Sequence, residues 1–364
     1  MYYAGVRADK ESENLLNKIS RLMKEAGLDA VFGRDDLVAL KTHFGEPGNT
    51  AFLRPQYMER VVEVVRGGEG KPFLTDSNTL YTGARSNAVD HLHTAVRHGF
   101  TYPVVDAPVV IADGLTGREE TMVSVPGRHF ERVRIGSAVH HSHSLIGVAH
   151  FKGHLLTGFG GAIKNIGMGV GSVKGKLEMH MDVRPSVKEE ECQSCGLCAE
   201  YCPAGAISVD GIARIDHHLC IGCGECYVTC PHDAISPGDD SEKEVVQEKI
   251  VEYTLGALKG KMDRCGFINI VLDVTPQCDC PPWNDSPVVP DVGIVASRDI
   301  VAIDQACADL VNRQPGLAET ELEDSRGPGE DKFRALHDVN WEVQLEYGEE
   351  IALGERDYRL VEVN

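Results

Sequence analysis

Short apolar runs alternate with amphipathic stretches over most of the chain. Leu15, Ile19, Leu22 and Met23 recur at helical spacing within residues 11–26, and Gly27 follows as a C-terminal stop. Leu37 to Leu40 predicts a short buried strand ending near Lys41-Thr42-His43. Pro55 opens a helix running to Arg66, and residues 72–75 predict a strand ending at Asp76. A helix over 86–98, which stops at Gly99, and strands over 109–112 and 145–149 continue the pattern. It resumes after residue 240, with helix 242–259, strands 267–274 and 292–296, and helix 299–312. Strands alternating with helices predict an α/β fold with a mostly parallel sheet.

Residues 186–237 interrupt this alternation. They hold eight cysteines, five glycines and three prolines, with no helical run long enough to join a sheet. The expected organisation is one α/β domain, residues 1–185 plus 238–364, interrupted by a small ferredoxin-like module at 186–237. Three domains in series are the alternative. The insertion is preferred because the strand–helix pattern continues beyond the break.

The cysteines of that segment carry the most specific signal. Cys192-x-x-Cys195-x-x-Cys198-x-x-x-Cys202-Pro203 is followed by Cys220-x-x-Cys223-x-x-Cys226-x-x-x-Cys230-Pro231. This is the bacterial ferredoxin run, twice over. Closely spaced thiolates wrap one face of a cubane, and the last cysteine, held past a turn before proline, points to the other cluster. Cys192, Cys195, Cys198 and Cys230 are therefore expected to hold one [4Fe–4S] cluster, and Cys220, Cys223, Cys226 and Cys202 the second. Disulfides would suit a secreted chain, and zinc would need ligands in pairs. Two clusters imply electron transfer with a redox partner protein, in a reducing cytoplasm.

Charge and composition remove other classes. Among 364 residues with net charge −20, residues 1–185 carry 22 Lys and Arg against 20 Asp and Glu, whereas 238–364 carry 12 against 28. So acidic a chain argues against a nucleic-acid binder, and the acidic part reads as a solvated surface. No apolar run approaches the length of about 18 residues that a membrane helix needs. The first residues also lack the order of a secretory signal.

Eleven of the 15 histidines fall in residues 1–185, and the most chemical stretch runs from His150 to Lys176. Between 151 and 176 it holds eight glycines and four lysines. Glycines let backbone amides approach an anion, and lysines add point charges. Lys152, Gly158, Gly160, Gly161, Lys164, Asn165 and Lys176 are therefore expected to bind a small anionic ligand or a phosphate-bearing organic cofactor. The spacing is neither a P-loop nor a dinucleotide fingerprint, and a flexible glycine-rich loop is the plainer reading. His43, Asp76 and His150 each follow a predicted strand, and open α/β sheets bind ligands at the carboxyl ends of strands. With His154 and Lys164 they form the candidate catalytic set. His150, His154 and His180 are also candidate ligands of an additional metal. Cys278-Asp279-Cys280 places two thiols close together, suited to a metal or to redox chemistry. Cys265 and Cys307 are isolated and predicted to be core residues.

KTHFGEPGN, DSNTLY and HFKGHLLTGFGGAIKNIGMG, taken with the double ferredoxin run and CDCPPWNDSPVVPDVGIVASRDIVAIDQA, resemble the iron–sulfur family catalogued as domain of unknown function 362. The resemblance spans nearly the whole chain. It implies an α/β fold with an inserted ferredoxin and no particular reaction. His154-x-x-x-Gly158-x-Gly160-Gly161-x-x-Lys164 is also distantly similar to the loop with which lactate racemase enzymes hold a nickel-pincer nucleotide. In those enzymes the lysine is the covalent anchor. Here Asn165-Ile-Gly167-Met stands in place of their proline-containing continuation.

The expected function is an iron–sulfur oxidoreductase passing electrons through two [4Fe–4S] clusters to a cofactor or anionic substrate in the α/β cleft. A non-catalytic electron carrier or cluster-delivery protein is the alternative, and a metal-dependent isomerase of nickel-pincer type a second. A carrier alone needs only the cysteine segment, which leaves most of this chain unexplained.

Overall fold

The computed structural model describes all residues except 82, 181–183, 223–224, 233, 237–239, 323–326 and 364, and the side chains of 228, 240 and 241 are also left aside. Eight strands share one sheet: β1 (Tyr2–Gly5), β2 (Leu37–Lys41), β3 (Lys71–Asp76), β4 (Val109–Ile111), β5 (Ser144–His150), β6 (Cys265–Val271), β7 (Gly293–Ser297) and β8 (Val361–Glu362). Their order is β8-β1-β7-β6-β5-β2-β3-β4. β7 runs antiparallel to both neighbours, and every other pairing is parallel. Strands from both sides of residues 186–236 therefore lie in the same sheet, and that segment contributes none.

Side chains alternate between two apolar layers, as strand geometry requires. Val38, Leu40, Ile146, Val148, Ile268 and Ile270 face the helices Leu15–Glu25, Pro55–Gly67 and Ala88–Arg97. Ala39, Leu145, Phe267 and Val295 face Ala162–Val170, Asp240–Leu258 and Ile300–Asn312. β5 and β6 are buried along their whole length, which is why their sequences are almost continuously apolar. Cys265 and Cys307 lie in this core.

Several elements escape the periodicity. β1 is short and only partly buried, and β8 is short and exposed, so their apolar pattern is weak. The hairpin Glu120–Ser124 with Arg132–Gly136 is likewise short. The stretch read as a glycine-rich loop folds as a small hairpin, Lys152–His154 with Gly158–Gly160, followed by two helices, Ala162–Val170 and Val173–His180. Asp304 explains the first helix. Its carboxylate accepts from Ala162 N at 2.7 Å and Ile163 N at 2.9 Å, capping a helix whose Ile163, Ile166 and Val170 face the core. β6 ends at Val271, short of the expected 274, because Asp273 takes a left-handed turn (φ 48°) into the Cys278–Cys280 loop.

Chain order places a switch point between β2 and β5. From β2 the chain moves outward to β3 and β4, then returns to β5 on the other side of β2. Crevices of this kind are where open α/β sheets bind ligands.

Candidate functional site

Lys41, Asp76 and His150 end β2, β3 and β5, so the sheet itself brings them to the switch point. Lys41 Nζ lies 3.0 Å from Asp76 Oδ1 and 2.8 Å from Asn165 Oδ1. Burial works to raise the Asp76 carboxyl, but Lys41, helped by His91 and His43, holds it well below the usual carboxylate range. Above this floor opens a cavity of about 860 Å³. Its walls include His43, Lys152, His154, Lys164, His180 and Cys280, and all five candidate catalytic residues reach it.

The histidines differ in what they offer. His150 Nδ1 lies 2.9 Å from Asp279 Oδ1, and Nε2 lies 2.9 Å from the carbonyl of Leu272. Both nitrogens face protein oxygens, so neither is turned to a metal in the cavity. His154 is engaged on Nδ1 by Thr157 Oγ1 at 3.0 Å, and its Nε2 has no protein partner among the described residues. Burial, with the nearby Lys164 charge, holds its pKa well below the ordinary value, so the ring is neutral. His180 is held at about 4 by burial and by Lys164 and Lys176. Among the described residues, no three His, Cys, Asp or Glu side chains converge as a single-ion site. The expected additional metal on His150, His154, His180, Cys278 and Cys280 thus has no such ligand group there.

The expected anion-binding residues also divide. Gly158 adopts φ +71° and packs beneath Trp341, away from the cavity. Gly161 leaves room for Asp304: a Cβ there would collide with that carboxylate. The helix N-terminal amides are thus taken by the protein's own anion. Asn165 spends its side-chain amide on the carbonyls of Lys41 and Val148, each at 3.2 Å. Lys176 donates to Ser77 Oγ and, at 2.7 Å, to the carbonyl of Gly171. Lys152 donates to the carbonyl of His150 at 2.8 Å and lies 3.4 Å from Asp279 Oδ2. Lys164 is different. Among the described residues its ammonium has no hydrogen-bond or ion-pair partner, and it lies with Lys152 beside Gly160 at the cavity wall.

A second group assembles around Cys280. Its sulfur is 3.6 Å from His43 Nε2, which in turn is 2.8 Å from Arg85 Nη1. Arg85 also meets Glu46 Oε2 at 2.7 Å and donates to the Tyr81 hydroxyl. Cys278 donates to Cys280, and this bond, with His43 and Arg85, holds the Cys280 thiol well below the ordinary range against burial. The Cys278 thiol is correspondingly raised. Gly48, at φ +105°, fixes the loop: its backbone presses against the carbonyl of Pro282, where a Cβ would not fit. Glu46 and Tyr81 sit in the loops singled out by sequence. Arg85 and Asp279 carried no motif of their own, although Asp279 lies inside the C-x-C.

The cysteine segment forms the far wall. Its hairpin Ile207–Asp210 with Ile212–Ile215 and short helices Leu197–Glu200 and Glu225–Val228 surround two small cavities. Cys192, Cys195, Cys198 and Cys230 line one; Cys202, Cys220 and Cys226 line the other, and Cys223 is outside the described residues. Backbone amides point at three of these sulfurs: Ala206 N to Cys202 at 3.3 Å, Ala213 N to Cys192 at 3.5 Å and Gly222 N to Cys220 at 3.4 Å. Amides placed so stabilise thiolates on an iron–sulfur cluster, and the donor set fits that group. Tyr227, Cys230 and Glu225 also line the large cavity, and burial with the Cys280 and Glu46 charges lifts Glu225 to about 7.

A family model described as Domain of unknown function (DUF362) matches residues 38–309. The chain belongs to this family. The match runs from β2 through the cysteine segment and the C-x-C loop into the helix Ile300–Asn312. Among solved structures, the chain is similar to the lactate racemase apoprotein from Thermoanaerobacterium thermosaccharolyticum, with 13% identity and a TM-score of 0.44. That match covers 81% of this chain and 56% of that one, so the chain spans little more than half of its length. Among curated proteins no match is found. No helix among the described residues is long and apolar enough to cross a membrane.

Proposed function

We propose that the chain is an iron–sulfur oxidoreductase acting on a small anionic substrate or cofactor in the cavity at the sheet's switch point. One observation carries this reading: Cys230, Tyr227 and Glu225 of the cysteine segment line the same cavity as His43, His154 and Lys164. Two [4Fe–4S] clusters, one on Cys192, Cys195, Cys198 and Cys230 and one on Cys220, Cys223, Cys226 and Cys202, would supply one-electron transfer from a partner redox protein. The side chains do the rest. Lys164, unpaired among the described residues, gives the anion a positive charge, and Gly160 leaves space beside it. His154 presents a neutral imidazole nitrogen. Asp76, Lys41 and Asn165 hold the floor rigid, and His150 positions the Asp279 loop. Free thiols suit a reducing compartment, the cytoplasm.

Anaerobic purification from the native host, followed by metal analysis and native mass spectrometry, tests the reading. Wild type should carry iron, sulfide and a small anionic molecule. Lys164→Ala should lose that molecule and keep the visible absorbance of the clusters. Lys164→Arg should rescue poorly, since it restores charge but not geometry. Iron-free protein, or identical small molecules in wild type and Lys164→Ala, would overturn it.

A further inference from the structure

The Cys278-Asp279-Cys280 loop is more elaborately held than a structural loop needs. Gly48 clamps it from one side, and His150 and Lys152 grip the Asp279 carboxylate between the two thiols from the other. Neither thiol is in a disulfide, both line the large cavity, and Cys280 alone faces His43 and Arg85. The two cysteines are thus inequivalent, one beside a cationic group and one free to follow. That asymmetry is what a dithiol needs to open a disulfide: a thiolate to attack and a neighbour to resolve.

We propose that Cys278 and Cys280 are a redox-active dithiol that reduces the disulfide of a small anionic thiol bound in the cavity, with Cys280 attacking and Cys278 resolving. This deepens the oxidoreductase reading by naming its substrate class. The Cys280 thiolate attacks one sulfur of the bound disulfide, forms a mixed disulfide and expels the other sulfur as a thiolate. Cys278 then loses its proton to solvent in the cavity, attacks Cys280 Sγ and expels the second thiolate. The substrate gains two electrons, and the protein is left with a Cys278–Cys280 disulfide. Restoring the dithiol takes two electrons, delivered one at a time by the clusters of the oxidoreductase reading, and two protons from solvent.

Residues two apart in sequence lie at most about 7 Å apart, close to the upper limit of disulfide reach, ~4.4–6.8 Å between Cα atoms. Lys164 at the same wall favours a disulfide bearing carboxylates or phosphates.

The test mixes the whole, anaerobically purified chain with dithiobis(nitrobenzoate), a disulfide carrying two carboxylates, and maps the cysteines by peptide mass spectrometry. Wild type should release both thiolates at this site and yield a Cys278–Cys280 peptide two hydrogens lighter than the dithiol. Cys278→Ser should stop at a mixed disulfide on Cys280. Cys280→Ser should react at least tenfold more slowly at Cys278. The proposal fails if wild type gives no linked peptide, or if Cys278 reacts as fast in Cys280→Ser. Linked peptide from protein that holds no iron would keep the dithiol and remove the cluster-based electron supply.

Discussion

Lys41 and Asp76 end adjacent parallel strands and pair at 3.0 Å with both side chains almost wholly buried. The pair is the floor of the cavity, and its members depend on one another. Asp76→Asn would leave an uncompensated buried ammonium, at a cost of about 3–5 kcal/mol. Because the folded carboxyl lies below the ordinary range, the stability it adds is present above the unfolded pKa of ~3.9 and is lost only as pH falls through the lower folded value. Denaturant midpoints of wild type and Asp76→Asn should therefore differ at neutral pH and converge in strong acid. Equal midpoints at neutral pH would show that the pair contributes nothing net.

Lys176 gives a pH dependence of the same sense, but in the alkaline range. Burial pushes its ammonium from 10.5 down to about 8, against the pull of Asp113 and Asp76. The unfolded chain keeps this proton over a range where the native protein has released it. Stability should then rise with pH between those two values, by on the order of 3 kcal/mol. Lys176→Met should flatten the rise in urea midpoints measured across that interval. A rise of equal size in the variant would assign the effect to another group.

Cys230 lines the small cavity of Cys192, Cys195 and Cys198, and the Cys198 thiol is raised by burial and then by Cys230 before either sequence neighbour. Cys202 likewise lines the cavity of Cys220 and Cys226, so each run's last cysteine lies beside the other run. Wild type should bind about eight iron and eight sulfide. Cys230→Ser should alter the paramagnetic signal of the cluster on Cys192, Cys195 and Cys198, and Cys202→Ser the signal of the other. If each substitution disturbed its own run's cluster, the crossing would be wrong.

The sequence pattern captured the parts of this molecule that are periodic or rigidly spaced. Leu37 to Leu40 and Leu145 to Ala149 were legible because a strand covered on both faces is apolar throughout. Asp76 and His150 were legible because they follow such runs. What escaped depends on partners far along the chain. Nothing near Gly161 reveals that Asp304 fills the space beside it, so a packing glycine looks like an anion cradle. Arg85 has no motif, and its importance appears only when Glu46, His43 and Tyr81 surround it. Asn165 and Lys176 looked like ligand groups; their donors turn out to be spent on backbone carbonyls and Ser77.

Ser186 and Val187 pair antiparallel with Ser236 and Ile235, so the cysteine segment leaves and rejoins the rest of the chain through one two-residue clasp. Its two ends are neighbours. A genetic insertion or deletion at that clasp leaves the eight-strand order intact, because no strand has to be rethreaded. The segment is a cassette, and relatives that carry a plain turn there would keep the cavity floor of Lys41 and Asp76 while losing its far wall. Comparing such chains would separate the chemistry of the floor from that of the wall, without a designed mutation.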